Sequence, residues 1–342
     1  MDKRHPALRM WTVLFTCFAI IAAAIYLSIT SGSFSISIAD IVKTLLRIIR
    51  VPEYDLVIFE FRLPRIVLGM LVGFALGIAG AVIQGITRNG LADPGILGIN
   101  AGAGMAVVLF MFLFRGEMDI TGTLSIMMMP MFALVGGLAA SALIMLFARQ
   151  NGELDPQRLI LVGIAMTTGF GAVTMFLSLK MNPQDYEMAV VWLAGSIYSA
   201  NWKFVLTVLP WVIVLPPIIW TRYRALDVLQ LEEVSVKGLG LPVQRERLIL
   251  LLCSVGLVAA SVSVAGSIGF VGLIAPHMAR RLVSHSHRYI LPVSGVVGMA
   301  MVVVGDWIGK TIFAPAQLAV GIVISVIGVP YFVYLLITAD KK

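Results

Sequence analysis

Charge disappears from this chain for long intervals. Ile66 to Thr87 runs 22 residues without Asp, Glu, Lys or Arg, Pro94 to Phe114 runs 21, Ile120 to Ala148 runs 29, Leu159 to Leu179 runs 21 and Leu248 to Ala279 runs 32. None shows the strict two-residue alternation of a half-buried strand. A helix needs about 20 apolar residues to cross the ~30 Å hydrocarbon core of a bilayer. The pattern predicts helices near 11–31, 64–87, 95–114, 124–148, 159–179, 204–221, 247–265, 268–284, 290–309 and 319–338. Composition agrees, with 59% hydrophobic and 13% charged residues against roughly 25% charged in a soluble domain. The fold class expected is all-α: a polytopic membrane protein with ten transmembrane helices in a single domain over 1–342.

The first span reads as retained. Met1 to Met10 is basic, but Trp11 to Thr30 is a full apolar span and not the short apolar core of a cleaved signal. The 32-residue run is either one overlong helix or two spans, and the positive-inside rule arbitrates. Two spans place 16 lysines and arginines on the N-terminal side and 9 on the other, whereas one span gives 12 against 13. Two spans therefore put both termini in the cytoplasm. The turn between them falls at Gly266 and Gly269. Pro276 then removes one helix hydrogen bond and leaves a carbonyl free one turn earlier. Gly69, Gly73 and Gly77 recur every four residues, as do Gly98 and Gly102, stripes that let helices approach closely in lipid.

The spans are nearly empty of ionisable groups. Asp306 and Lys310 sit near the outer end of the ninth, Asp93 at the cytoplasmic entrance of the third, and no carboxylate lies at mid-depth. An ion-driven transporter needs such groups. The chain also lacks a G-x-x-x-x-G-K-[ST] phosphate loop, so uphill transport would draw its energy from another subunit. Two handles for partners stand out. The cytoplasmic segment 222–247 reads as two short amphipathic helices divided at Gly238 and Gly240, and its Leu226, Leu229 and Leu231 are able either to enter a partner's groove or to serve a solvated connector. On the outer side, segment 32–63 carries a short amphipathic helix and leads to Arg62 and Arg65, which with Lys310 form a cationic group. Snorkelling to lipid headgroups is the plain alternative for these cations. Cys17 and Cys253 read as buried small hydrophobes, His277 as a structural hydrogen bonder, and His285 and His287 as too sparse for a metal site.

Several motifs, taken in order, resemble one family. They are Arg62-Leu63-Pro64-Arg65; Gln84 followed by Arg88-Asn89-Gly90-Leu91-Ala92-Asp93-Pro94; Leu161-Val162-Gly163; Trp192-Leu193-Ala194-Gly195-Ser196; Gly269-Phe270-Val271-Gly272-Leu273-Ile274-Ala275-Pro276-His277; and Ile327-Gly328-Val329-Pro330. The chain is similar to the permease subunits of ABC importers for iron–siderophore complexes, haem and cobalamin. That resemblance implies the type II ABC importer permease architecture and no enzymatic chemistry or cofactor in this chain. It implies two ATP-binding subunits below, an extracytoplasmic substrate-binding protein above and a second permease subunit alongside, in a bacterial cytoplasmic membrane, with no nucleic-acid partner. Arg62, Arg65 and Lys310 would meet acidic residues of the binding protein. Leu231, Glu232, Glu233, Gly238 and Gly240 would belong to the coupling helices on the ATPase, Asn89 and Leu91 to the cytoplasmic gate, and Ser178–Ser199 to a short re-entrant element.

The chain departs from the family pattern at Gly90 and Ser267 (commonly proline), Glu232 (commonly glycine), Lys310 (commonly arginine) and Gln317-Leu318-Ala319 (commonly Glu-x-Pro). These departures favour pairing with a different permease subunit over a homodimer. The cargo expected is a ferric siderophore, with cobalamin or haem as the alternative and an ion-gradient-driven carrier behind both.

Overall fold

The computed structural model describes residues 6–31, 36–114, 123–150, 152–231, 236, 242–314 and 316–339. Among the described residues there are thirteen α-helices: α1 (Pro6–Thr30), α2 (Ile38–Leu45), α3 (Pro52–Thr87), α4 (Ile99–Leu113), α5 (Thr123–Phe147), α6 (Pro156–Ser178), α7 (Pro183–Leu193), α8 (Trp202–Thr221), α9 (Tyr223–Val228), α10 (Val243–Ala265), α11 (Val271–Leu282), α12 (His287–Thr311) and α13 (Val320–Ala339). A two-residue hairpin, Arg149–Gln150 with Glu153–Leu154, joins α5 to α6.

Each of the ten apolar intervals holds a helix. Seven helices (α1, α3, α5, α6, α8, α10 and α12) are long and apolar enough to cross a membrane. By that measure α4, with 15 residues, and α11, with 12, are too short. The uncharged run of 32 residues does divide: α10 ends at Gly266 (φ 66°), a left-handed conformation open to glycine, and α11 begins at Val271. The interval 95–114 is not one helix. A short 3-10 turn over Pro94–Leu97 precedes Gly98 at φ 65°, and the α-helix starts only after it. The second span is longer than expected, because α3 reaches back to Pro52 through a π-helical stretch over Leu56–Arg62. Pro64 has no N–H to return, and the turn before it is widened, with Leu63 N–H bonding to the carbonyl of Ile58.

The bundle is built around α3, α10 and α12. Within their apolar stretches 78%, 83% and 67% of residues are buried, against 11% in α6 and 17% in α8. The glycine stripe explains why α3 can be central. A Cβ on Gly73 would stand 2.8 Å from Met299 Cα, and one on Gly77 2.8 Å from the carbonyl carbon of Ser294, so α3 and α12 touch backbone to backbone. Without an apolar solvent penalty between helices in lipid, such close packing holds the pair together. The peripheral helices α6 and α13 leave large apolar side chains outward, among them Leu161, Ile164, Met175, Val326 and Ile327.

Candidate functional site

Polar groups gather at the two ends of the antiparallel α3–α12 pair. At the first end, the three cations read from sequence as a docking group, Arg62, Arg65 and Lys310, each bond to other parts of the chain. Arg62 is buried, 7% exposed, and its Nη1 donates to the carbonyl of Ile29; Lys310 Nζ donates to the carbonyl of Ser28 at 3.1 Å. Ser28 and Ile29 lie in the last turn of α1, whose carbonyls have no partner within the helix, and cations are favourable there. Arg65 meets Asp306 side-on, with Nε 2.9 and 3.0 Å from its two oxygens and Nη2 2.8 Å from Oδ1. Its Nη1 donates to Gln317 Oε1 at 2.8 Å, and its guanidinium carbon lies 5.6 Å from the centre of the Tyr198 ring. Around this cluster Tyr198, Ile312, Phe313 and Gln317 are exposed.

At the second end, α3 finishes at Arg88 in the left-handed conformation (φ 51°). The turn that follows is closed by Asn89, whose Oδ1 accepts from Leu91 N–H at 2.9 Å. Asp93 then caps the short 3-10 turn through Gly95 N–H at 2.7 Å. Leu91, 36% exposed, is presented from this turn. Gln84 bridges to α11. Its Nε2 donates to the carbonyls of Leu273 and Gly272 at 3.1 and 3.5 Å, and its Oε1 accepts from Arg280. The Gly272 carbonyl is the one Pro276 leaves free, so a side chain from α3 occupies the gap.

The segment leading into 222–247 is fastened to this same end. Gln230 Nε2 donates to the carbonyl of Gly85 at 2.8 Å, and Arg88 Nε to that of Leu229 at 2.8 Å. Asp227 receives Ser286 Oγ at 2.8 Å, His287 N–H at 2.7 Å and His287 Nδ1 at 2.7 Å. Ser286, at the start of α12, makes no side-chain cap of its own. Asp227 supplies it from α9, placing negative charge at the helix N-terminus. Burial alone would raise the Asp227 carboxyl, but the His287 and Ser286 donors outweigh it and hold it below its ordinary value. The two bases of the segment are joined by an Arg222–Glu246 ion pair at 3.1 Å.

Leu226 and Leu229 are buried in the chain's own core, so they do not serve a partner's groove; Leu231 is exposed at 47%. Glu232, Glu233, Gly238 and Gly240 lie outside the described residues. His277 is no hydrogen bonder through Nε2, which is buried without a partner; its ring packs edge-on against Tyr331 at 6.1 Å. Cys17 and Cys253 are free thiols, the latter buried. The residues missed from sequence are Asp227 and Gln230, whose partners are distant in the chain; Gln317 stood out only as a departure from the family pattern, not as a partner of Arg65. An open, mostly apolar cavity of about 680 Å³ has a lining that includes Leu193, Ser267, Phe270, Ile322, Ser325 and Val329.

The model of the FecCD transport family matches residues 20–338. The chain belongs to that family. As a FecCD member it is 52% identical over 323 residues to the Bacillus subtilis iron-uptake system permease protein FeuC, covering 94% of this chain and 96% of that protein. It is 46% identical to the iron(3+)-hydroxamate import system permease protein FhuG of the same species, covering 84% and 85%. A solved metal-chelate type ABC transporter in an inward-facing conformation superimposes with a TM-score of 0.82 at 28% identity, covering 96% of this chain and 99% of that one. The fold is that of type II ABC importer permeases. This FecCD member is a multi-pass membrane protein.

Proposed function

We propose that this FecCD family member is the permease of an ATP-driven importer that carries a ferric siderophore across the bacterial cytoplasmic membrane. The observation that carries this reading is the 52% identity, over nearly the full length of both chains, to an iron-uptake permease. In this reading the chain crosses the membrane ten times with both termini cytoplasmic. The Arg65 end faces an extracytoplasmic binding protein, and the Arg88 end faces two ATPase subunits that contact the segment Leu231 to Val243. A second permease subunit, favoured as a different chain, lies alongside. Asn89 and Leu91 form the turn that gates the path. The fastening of α9 to both α3 and α12 supports a coupling role, because a push on the segment reaches the gate turn through Arg88 and Gln230. Arg65 and Lys310 give the docking end its charge, while Arg62 chiefly secures α1.

The test is uptake of radiolabelled iron, supplied on a panel of siderophores with labelled cobalamin in parallel, by cells lacking only this chain. Uptake of one siderophore class should fall to background and return with the intact gene. Loss of cobalamin uptake alone would discard the siderophore cargo. Unchanged uptake of every tracer would overturn the importer reading.

A further inference from the structure

Helix α2 presents three different faces. Ile41 and Thr44 are buried, and Ile41 belongs to one buried cluster with Ile29 of α1 and with Ile58 and Ile66 of α3. At about 100° per residue, Ile38, Val42 and Leu45 fall together on a second arc, and all three are exposed, at 53%, 47% and 38%. Asp40 and Lys43 fall on a third arc, roughly opposite the second. The helix is held in this setting at both ends. Ser37 Oγ accepts from Asp40 N–H at 3.1 Å, and just past the last turn Arg47 pairs with Asp55, in the first turn of α3, at 3.2 Å.

The level of α2 along the bundle follows from Ile58, its neighbour in the buried cluster. Ile58 stands roughly 40 Å along α3 from the far end of that helix at Thr87. A bilayer with its headgroups measures about 40–45 Å, so with Thr87 at one surface α2 lies at headgroup depth on the other. The aromatic residues nearby fit that depth. Tyr54 packs against the same cluster, Trp202 Nε1 donates to the carbonyl of Phe59 at 2.7 Å, and Tyr26, in the last turns of α1, is exposed. Tyrosine and tryptophan gather at membrane–water interfaces. The apolar arc also continues the outward surface of α1, where Phe15 and Phe18 are exposed.

We propose that α2 is an interfacial helix whose partner is lipid. Ile38, Val42 and Leu45 sit among the upper acyl chains of the leaflet at the Arg65 end, with Asp40 and Lys43 turned to the headgroup water. An exposed apolar arc set against a charged one is the pattern of a helix lying in the membrane plane. Through Ile41 and Ile29 the anchored helix fixes the end of α1. The proposal rests on the chain crossing a bilayer, and is independent of the cargo and of which side is outside.

The experiment places a photoreactive benzophenone amino acid singly at Val42, Leu45 or Lys43 of the full-length chain. The chain is purified with its accompanying subunits, returned to nanodiscs of phosphatidylcholine and phosphatidylglycerol, irradiated, and its adducts identified by mass spectrometry. Lipid adducts at Val42 and Leu45 should exceed those at Lys43 about tenfold. All three positions are exposed, and each variant must melt with the parent; Leu46, also exposed, replaces Val42 or Leu45 where it does not. Crosslinks from Val42 and Leu45 to another protein chain would overturn the proposal by making a protein the cover. Equal lipid adducts at all three positions would overturn the division of faces, and no lipid adduct at Val42 and Leu45 would put the apolar arc in water and end the proposal.

Discussion

Gly80→Ala is expected to lower the melting temperature of the protein by several degrees. A Cβ at this position would stand 2.6 Å from Gly272 Cα, closer than any methyl tolerates, and it also meets the carbonyl group of the same residue. Backbone cannot rotate away as a side chain can, so α3 and α11 would have to separate. Overpacking of this kind costs about 1–3 kcal/mol in a well-packed core. Here the separation would also stretch the Gln84 hydrogen bonds to Gly272 and Leu273, one turn further along α3. A matched control exists in the same chain. Gly171, in α6, has nothing within 4 Å of its added Cβ, and alanine is the better helix former by about 1 kcal/mol. Melting of the two variants in detergent should therefore diverge, with Gly80→Ala several degrees below the parent and Gly171→Ala at or above it. Equal melting temperatures would mean that α3 and α11 are not held at this contact.

The elements legible in the sequence were those set by local pattern. Uncharged runs placed ten helical intervals, and the Gly69–Gly73–Gly77 stripe announced a close helix contact, although nothing local could say that α12 would fill it. The break at Gly98 escaped because an apolar run reads the same whether its helix is continuous or restarts after a turn. Side-chain partners were harder still. Arg65 and Asp306 are 241 positions apart and His287 and Asp227 are 60 apart, so charges that look free along the chain prove to be spoken for in the fold. Leu226 and Leu229 illustrate the same limit from the apolar side. An amphipathic stretch shows that one face wants burial, not whether its own chain or a partner will cover it. Pro276 was the informative exception, since a missing N–H predicts an orphan carbonyl, and Gln84 is found bonded to it.

Replacing Asp227 by alanine should loosen the start of the segment proposed above to couple to the ATPase. Among the described residues its carboxylate is the one side-chain cap at the start of α12, and it takes two hydrogen bonds from His287 and one from Ser286. Loss of a helix cap costs about 0.5–2 kcal/mol, and an unmet buried donor about 1–3. With the Asp227 side chain 32% exposed, water can recover part of this, and the lower half of those ranges applies. The consequence for function is larger than for stability. Asp227 is on α9, immediately before the fastening of Leu229 and Gln230 to α3, so in the proposed coupling its removal loosens the path by which a movement of the segment would reach Asn89 and Leu91. Siderophore uptake by the Asp227→Ala importer is expected to fall about tenfold, while ATP hydrolysis by the assembled complex continues. Parallel loss of both would make Asp227 merely structural, and retention of both would remove the latch from the mechanism. The pH dependence has a fixed sign. Because the folded state holds this carboxyl below its ordinary value of about 3.9, its contribution is fully present above that pH and disappears as pH falls through the lowered folded value. The melting difference between parent and Asp227→Asn should accordingly shrink toward zero as pH falls below the ordinary carboxyl value.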